Sequence, residues 1–162
     1  MNYAELFQCL HQHDVRYLIC GGLALNLHGV PRMTADVDII LDLHSENLKK
    51  FETCASKLNY KLTIPVKFGD VADDEKRKEL IQSKNLIALS FYNYDKNFLV
   101  LDVLIDFPIA FDEMWGQKAI RNNGGSEIYL VSIDHLIKLK EYSNRIQDQQ
   151  DIYFLSKIKN AK

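Results

Sequence analysis

Residues 36–41 read Asp-Val-Asp-Ile-Ile-Leu, and this stretch limits the possible folds more than any other. From Val37 to Leu41 the run is almost continuously apolar, the pattern of a strand buried on both faces. Two carboxylates, Asp36 and Asp38, stand at its start. Two residues apart on a strand, they point to the same face. Carboxylates that close repel, and one is pushed toward protonation unless a positive charge lies between them. A divalent cation removes the conflict, since magnesium prefers hard oxygen ligands and often takes one or two carboxylates with phosphate and water. Alone, an Asp-x-Asp is more often a pair of exposed acids, here with Arg32 as a neutralising neighbour.

The rest of the chain alternates helix and strand signals. Helices are expected over residues 3–13, Leu23–His28 (stopped by Gly29 before Pro31), Ser45–Leu58 with Ser45 as the cap, and Asp73–Gln82. Strands are expected over Val15–Cys20, Val37–Leu41 and Tyr60–Ile64. A hairpin of Leu86–Tyr92 with Phe98–Phe107 follows, around an Asn93–Asn97 turn, and then Lys118–Arg121 with Glu127–Val131 about an Asn-Asn-Gly-Gly turn. Two helices, Ser132–Ser143 and about Asp148–Ile158, close the chain. The class is α/β or α+β, with a mixed, partly antiparallel β-sheet flanked by helices. With no repeat, linker or low-complexity segment, the 162 residues read as a single domain, 1–162, its C-terminal helices covering about 132–158.

Composition excludes several classes. The chain is 47% hydrophobic and 26% charged, an ordinary globular balance. No stretch is apolar for long enough to span a bilayer, and the N-terminus shows no secretory signal, so no membrane association is expected. Three cysteines, Cys9, Cys20 and Cys54, have no paired spacing and suit a cytoplasmic, reducing compartment as small buried hydrophobes. His11 and His13, near a helix end, have no partner at metal spacing and read as solvated. The net charge of −2 does not attract nucleic acid as a whole. From Lys138 onward, however, six basic residues face three acids, an excess that suits a phosphate-rich ligand or a solvated helix face.

Several residues around the Asp pair carry chemistry in combination. Gly21-Gly22 closes one strand and opens a helix, where glycine permits close backbone approach and free N–H groups offer an anion site. Arg32 and Thr34 stand just before the acids. The pattern Gly21-Gly22, Ala24, His28-Gly29, Arg32, Thr34, Asp36-Val37-Asp38 resembles the DNA polymerase β-like nucleotidyltransferase superfamily, and within it the small bacterial AbiEii-like and minimal nucleotidyltransferases. The resemblance implies a nucleotidyltransferase fold and metal-dependent transfer of an NMP from an NTP, ATP among them, to a hydroxyl acceptor with loss of pyrophosphate. It also implies a two-magnesium site and a third carboxylate from a later strand.

Leu99–Phe107 offers two same-face candidates for that third acid, Asp102 and Asp106; Asp102 is preferred, set among Val100, Leu101, Val103 and Leu104, where an unpaired charge is costly. Asp106, beside Phe107-Pro108, reads as a turn former. Catalytic and metal-binding roles thus fall to Asp36, Asp38 and Asp102. Nucleotide binding falls to Gly21, Gly22, Arg32, Thr34 and Lys140. Lys140 breaks the apolar face of its helix, either by snorkelling or, by the resemblance, as a point charge toward a triphosphate; Asp148 reads mainly as a helix cap. Members with Gly-Ser use the serine hydroxyl on phosphate, and Gly22 departs from them. The acceptor stays open among tRNA, protein and small molecule. So do a toxin–antitoxin setting with an antitoxin partner, an aminoglycoside-type adenylyltransferase, and an inactive binding or regulatory module.

Overall fold

A computed structural model describes residues 3–96 and 99–161. Its elements run α1 (Ala4–Gln12), β1 (Tyr17–Cys20), α2 (Gly21–His28), β2 (Asp36–Leu41), α3 (Ser45–Lys57), β3 (Tyr60–Leu62), a 3-10 turn (Phe68–Ala72), α4 (Asp74–Lys84), β4 (Ala88–Asn93), β5 (Leu99–Leu104), α5 (Phe111–Gly116), β6 (Ala119–Asn123), β7 (Ser126–Leu130), α6 (Ile133–Ser143) and α7 (Ile146–Asn160). All seven strands join one mixed sheet in the order β3-β4-β5-β2-β1-β7-β6. β2 lies at its centre, antiparallel to β1 and parallel to β5. β4–β5 and β6–β7 are antiparallel hairpins.

The expected fold class is the one observed. Asn97 and Phe98, which the expected turn and second hairpin strand included, lie outside the described residues. Several local readings shift: β5 ends at Leu104 and α7 begins at Ile146. α2 begins at Gly21, so the glycine pair forms its first turn instead of preceding it. Ser45 is the first residue of α3, and His44 occupies the capping position without a side-chain cap. The six-residue α5 and the 3-10 turn are too short to leave a periodic signal.

Alternation along the strands divides the molecule into two layers. Val37 is level with Leu101, and Leu101 with Phe91, so these side chains share one face. Phe51 of α3 meets Phe91 there edge-on at 5.3 Å, and Phe7 of α1 stacks on Tyr17 at 6.1 Å. Helices α1 and α3 therefore cover this apolar face. Ile39, Ile40 and Leu41 are fully buried, as expected of a strand covered on both sides. The opposite face, on which Asp36 and Asp38 stand, is approached by α2, α6 and α7.

Candidate active site

The strand register assembles the acids. Cys20 is level with Asp38, Asp38 with Asp102, and Asp102 with Ser90, so one row crosses four neighbouring strands with its side chains on one face. Asp36, two residues before Asp38, completes the group. Asp36, Asp38 and Asp102 each offer a carboxylate oxygen, and the three oxygens lie within 4.8 Å of one another. Asp106 falls beyond the end of β5 and accepts the Tyr142 hydroxyl at 3.1 Å, which leaves Asp102 as the strand acid beside the Asp pair.

Each acid is held differently. The Ser90 hydroxyl donates to Asp102 Oδ1 at 2.5 Å, and the Thr34 hydroxyl donates to Asp36 Oδ1 at 3.1 Å. Burial, then the charges of Asp36 and Asp102, push the Asp38 carboxyl up to about 6, against the pull of Lys140 and Arg145. Asp102 is also raised, by burial first and then by Asp36, with the Ser90 hydrogen bond acting in the other direction. Tyr3 was not anticipated from sequence. Its hydroxyl donates to the Ala35 carbonyl at 3.0 Å, and burial followed by all three carboxylates raises it to about 12. The structure thus shows three hard-oxygen donors whose mutual repulsion Lys140 and Arg145 offset only in part, a donor set that fits magnesium.

Both glycines are sterically required. Gly21 has φ +60, and a Cβ there would lie 1.8 Å from Asp38 Oδ2. A Cβ on Gly22 would meet Thr34 Cβ at 2.8 Å. Thr34 therefore occupies the space that a serine side chain at position 22 would need, which accounts for Gly-Gly in place of Gly-Ser. The N-terminal turn of α2 opens beside the acids, with its free N–H groups and the positive end of the helix dipole.

Lys140 and Arg32 line the same cleft, but neither is free. Lys140 Nζ lies 2.9 Å from Asp148 and 2.8 Å from Asp151. Arg32 Nε lies 3.4 Å from the other oxygen of Asp151. Asp148 also accepts the Arg145 main-chain N–H at 2.9 Å, so it both caps α7 and pairs with Lys140. His28 sits away from the chemistry, its Nε2 2.8 Å from the Val131 carbonyl, where it ties α2 to the end of β7.

The cleft holds about 890 Å³ and its walls are unequal. Its cationic residues are Arg32, Lys140 and Arg145, on the α2–β2 connection and the α6–α7 region. On the side of Asp102 the cleft is lined by Asn85, Leu86, Ile87, Ala88 and Leu104 together with Asp106 and Tyr142, none of them a cation.

No family model matches the sequence, and no curated protein matches it. Solved structures do match the fold. The lincosamide antibiotic adenylyltransferase LnuA, lincomycin-bound, aligns with TM-score 0.60 and 16% identity over 98% of each chain. ANT(2")-Ia in complex with adenylyl-2"-tobramycin aligns with TM-score 0.57 and 13% identity, over 96% of this chain and 89% of that one. An antigenic nucleotidyltransferase-like protein from Paracoccidioides brasiliensis aligns with TM-score 0.52 and 20% identity, over 93% and 71% of the two chains. The chain has the nucleotidyltransferase fold.

Proposed function

We propose that the protein is a magnesium-dependent nucleotidyltransferase of the cytoplasm that moves an NMP from an NTP to a hydroxyl acceptor and releases pyrophosphate. The observation that carries this reading is the convergence of Asp36, Asp38 and Asp102 at the mouth of a cleft that also opens on the first turn of α2. Asp36 and Asp38 would hold magnesium, with Asp102 completing the donor set. When bound, magnesium supplies positive charge to the phosphates and to the oxygens entering and leaving phosphorus.

The chain's own groups do the rest. The N–H groups of Gly21 and Gly22 bind phosphate oxygens, and Thr34 keeps Asp36 aimed. Lys140 and Arg32 supply positive potential from the far wall while Asp148 and Asp151 hold them in place. Asp102, oriented by the Ser90 hydroxyl, accepts the proton of the acceptor hydroxyl. The new O–Pα bond forms as the bond from Pα to the pyrophosphate oxygen breaks.

The cation-free lining on the side of Asp102 favours a small acceptor, neutral or cationic, over a phosphate-rich polymer such as tRNA. Two proteins of the same fold were solved with lincomycin and with adenylyl-2"-tobramycin, compounds of that general size. The test uses α-labelled NTP with magnesium and a panel of small hydroxyl compounds, RNA and proteins. Label should pass to a small compound, and Asp102→Asn should lower the rate by at least about a hundredfold through loss of the base. The reading fails if wild type transfers no label and Asp38→Ala binds magnesium–NTP as tightly as wild type.

A further inference from the structure

We infer that Cys9, His13 and Cys54 form a second metal site, one that takes zinc, between α1 and α3 on the sheet face opposite the carboxylates. Cys9 and His13 are four residues apart at the end of α1 and share a helix face. Cys54 comes from α3, which packs beside α1. The two sulfurs and a ring nitrogen lie within 4.8 Å of one another, and Cys9 Sγ is 3.8 Å from His13 Nδ1. Tetrahedral zinc, with Zn–S of about 2.3 Å and Zn–N of about 2.0 Å, holds such atoms roughly 3.6 Å apart. Small side-chain rotations close the remaining gap.

Donor chemistry selects the metal. Two thiolates and an imidazole, with no carboxylate among them, are soft donors that favour zinc or copper(I) over magnesium. Two thiolates balance a divalent ion to zero net charge, the least costly state for a site whose sulfurs are buried. Half-buried His13 gives the site its opening to solvent.

The existing hydrogen bonds can be surrendered cheaply. The Cys9 carbonyl accepts from three donors: the His13 main-chain N–H at 3.1 Å, His13 Nδ1 at 2.9 Å and the Cys54 thiol at 3.1 Å. A carbonyl has two lone pairs, so releasing the two side chains to a metal leaves its main-chain bond intact. On the other side of the ring, Nε2 accepts from Lys57 Nζ at 2.7 Å. Ligation through Nδ1 places the ring proton on Nε2, and the exposed Lys57 side chain moves aside.

The experiment uses the full chain, reduced and stripped with chelator, then titrated with cobalt(II) in excess magnesium to occupy the carboxylates. One equivalent should produce a thiolate-to-cobalt charge-transfer band that zinc abolishes. His13→Gln and Cys54→Ser should each weaken binding by at least about a hundredfold, and Asp38→Ala should leave the titration unchanged. His13→Gln replaces a half-buried side chain and, with its fold checked by circular dichroism, guards against failure of the cysteine variant. The inference is overturned if folded wild type gives no charge-transfer band, if His13→Gln binds cobalt as tightly as wild type, or if Asp38→Ala loses the band.

Discussion

Asp38 illustrates how a single side chain carries the cost of a site. Its raised carboxyl has a sign that can be worked out. Well below pH 3.8, the group is protonated in folded and unfolded chains alike. Between the ordinary value of 3.8 and about 6 the folded chain keeps a proton that the unfolded chain releases. Stability therefore falls as pH rises through that window and stays reduced above it. In chelator at pH 8, Asp38→Asn should be more stable than wild type by about 2 kcal/mol, with the difference disappearing near pH 3. Urea melts at the two pH values check this, and an equal difference at both would refute it. Thr34 and Gly22 show the same close fit: the threonine whose hydroxyl aims Asp36 also denies position 22 a side chain through its Cβ.

At the scale of elements, α6 and α7 are joined by buried charge. Lys140 is the only cation paired with both Asp148 and Asp151 among the described residues, and the two acids' side chains are 3% and 6% exposed. Removing one member of such a group strands the others in a low-dielectric setting. Lys140→Met should therefore cost about 3 kcal/mol in denaturant melts at neutral pH. The Asp148 carboxyl, though raised by burial, is held low overall by Ser143, Lys140 and the Arg145 N–H. Its contribution is present above the ordinary carboxylate range and lost as pH falls through the lower folded value. The gap between wild type and Lys140→Met should narrow below about pH 4. A Lys140→Met chain as stable as wild type at pH 7 would mean that the lysine is not a structural partner, and its only role would then be toward phosphate.

Across the whole molecule, the sheet order places the chemistry on the most protected strand. β2 has three strands on either side of it, while β3 and β6 are edges. Amides of Ile39, Ile40 and Leu41 should exchange with solvent only on global opening, and those of β3 and β6 far sooner. Hydrogen exchange followed by mass spectrometry reads this directly, and β2 exchanging as fast as β6 would contradict the topology. Such an arrangement lets two neighbouring strands aim three like charges together without the backbone giving way.

Much of this was legible in the residues themselves. Asp-Val-Asp-Ile-Ile-Leu declared both a doubly buried strand and a same-face acid pair, because side-chain alternation is a local property of the backbone. Gly21-Gly22 declared a close approach for the same reason. The end of β5 was not legible, since Leu99–Phe107 stays apolar past it. Pairing stops where the Ile87 carbonyl receives both Ile105 and Asp106 N–H groups, and only the partner strand decides that. His13 read as a solvated residue with no partner at metal spacing, and the structure differs because Cys54, 45 residues from Cys9, joins Cys9 and His13 only through helix packing. Lys140 stood out as a charge on an apolar face, while its partners Asp148 and Asp151 depended on how α7 folds back. The sequence alone determined which side chains could share a face. The tertiary structure decided which faces meet, because burial and strand register act between segments that no local spacing connects.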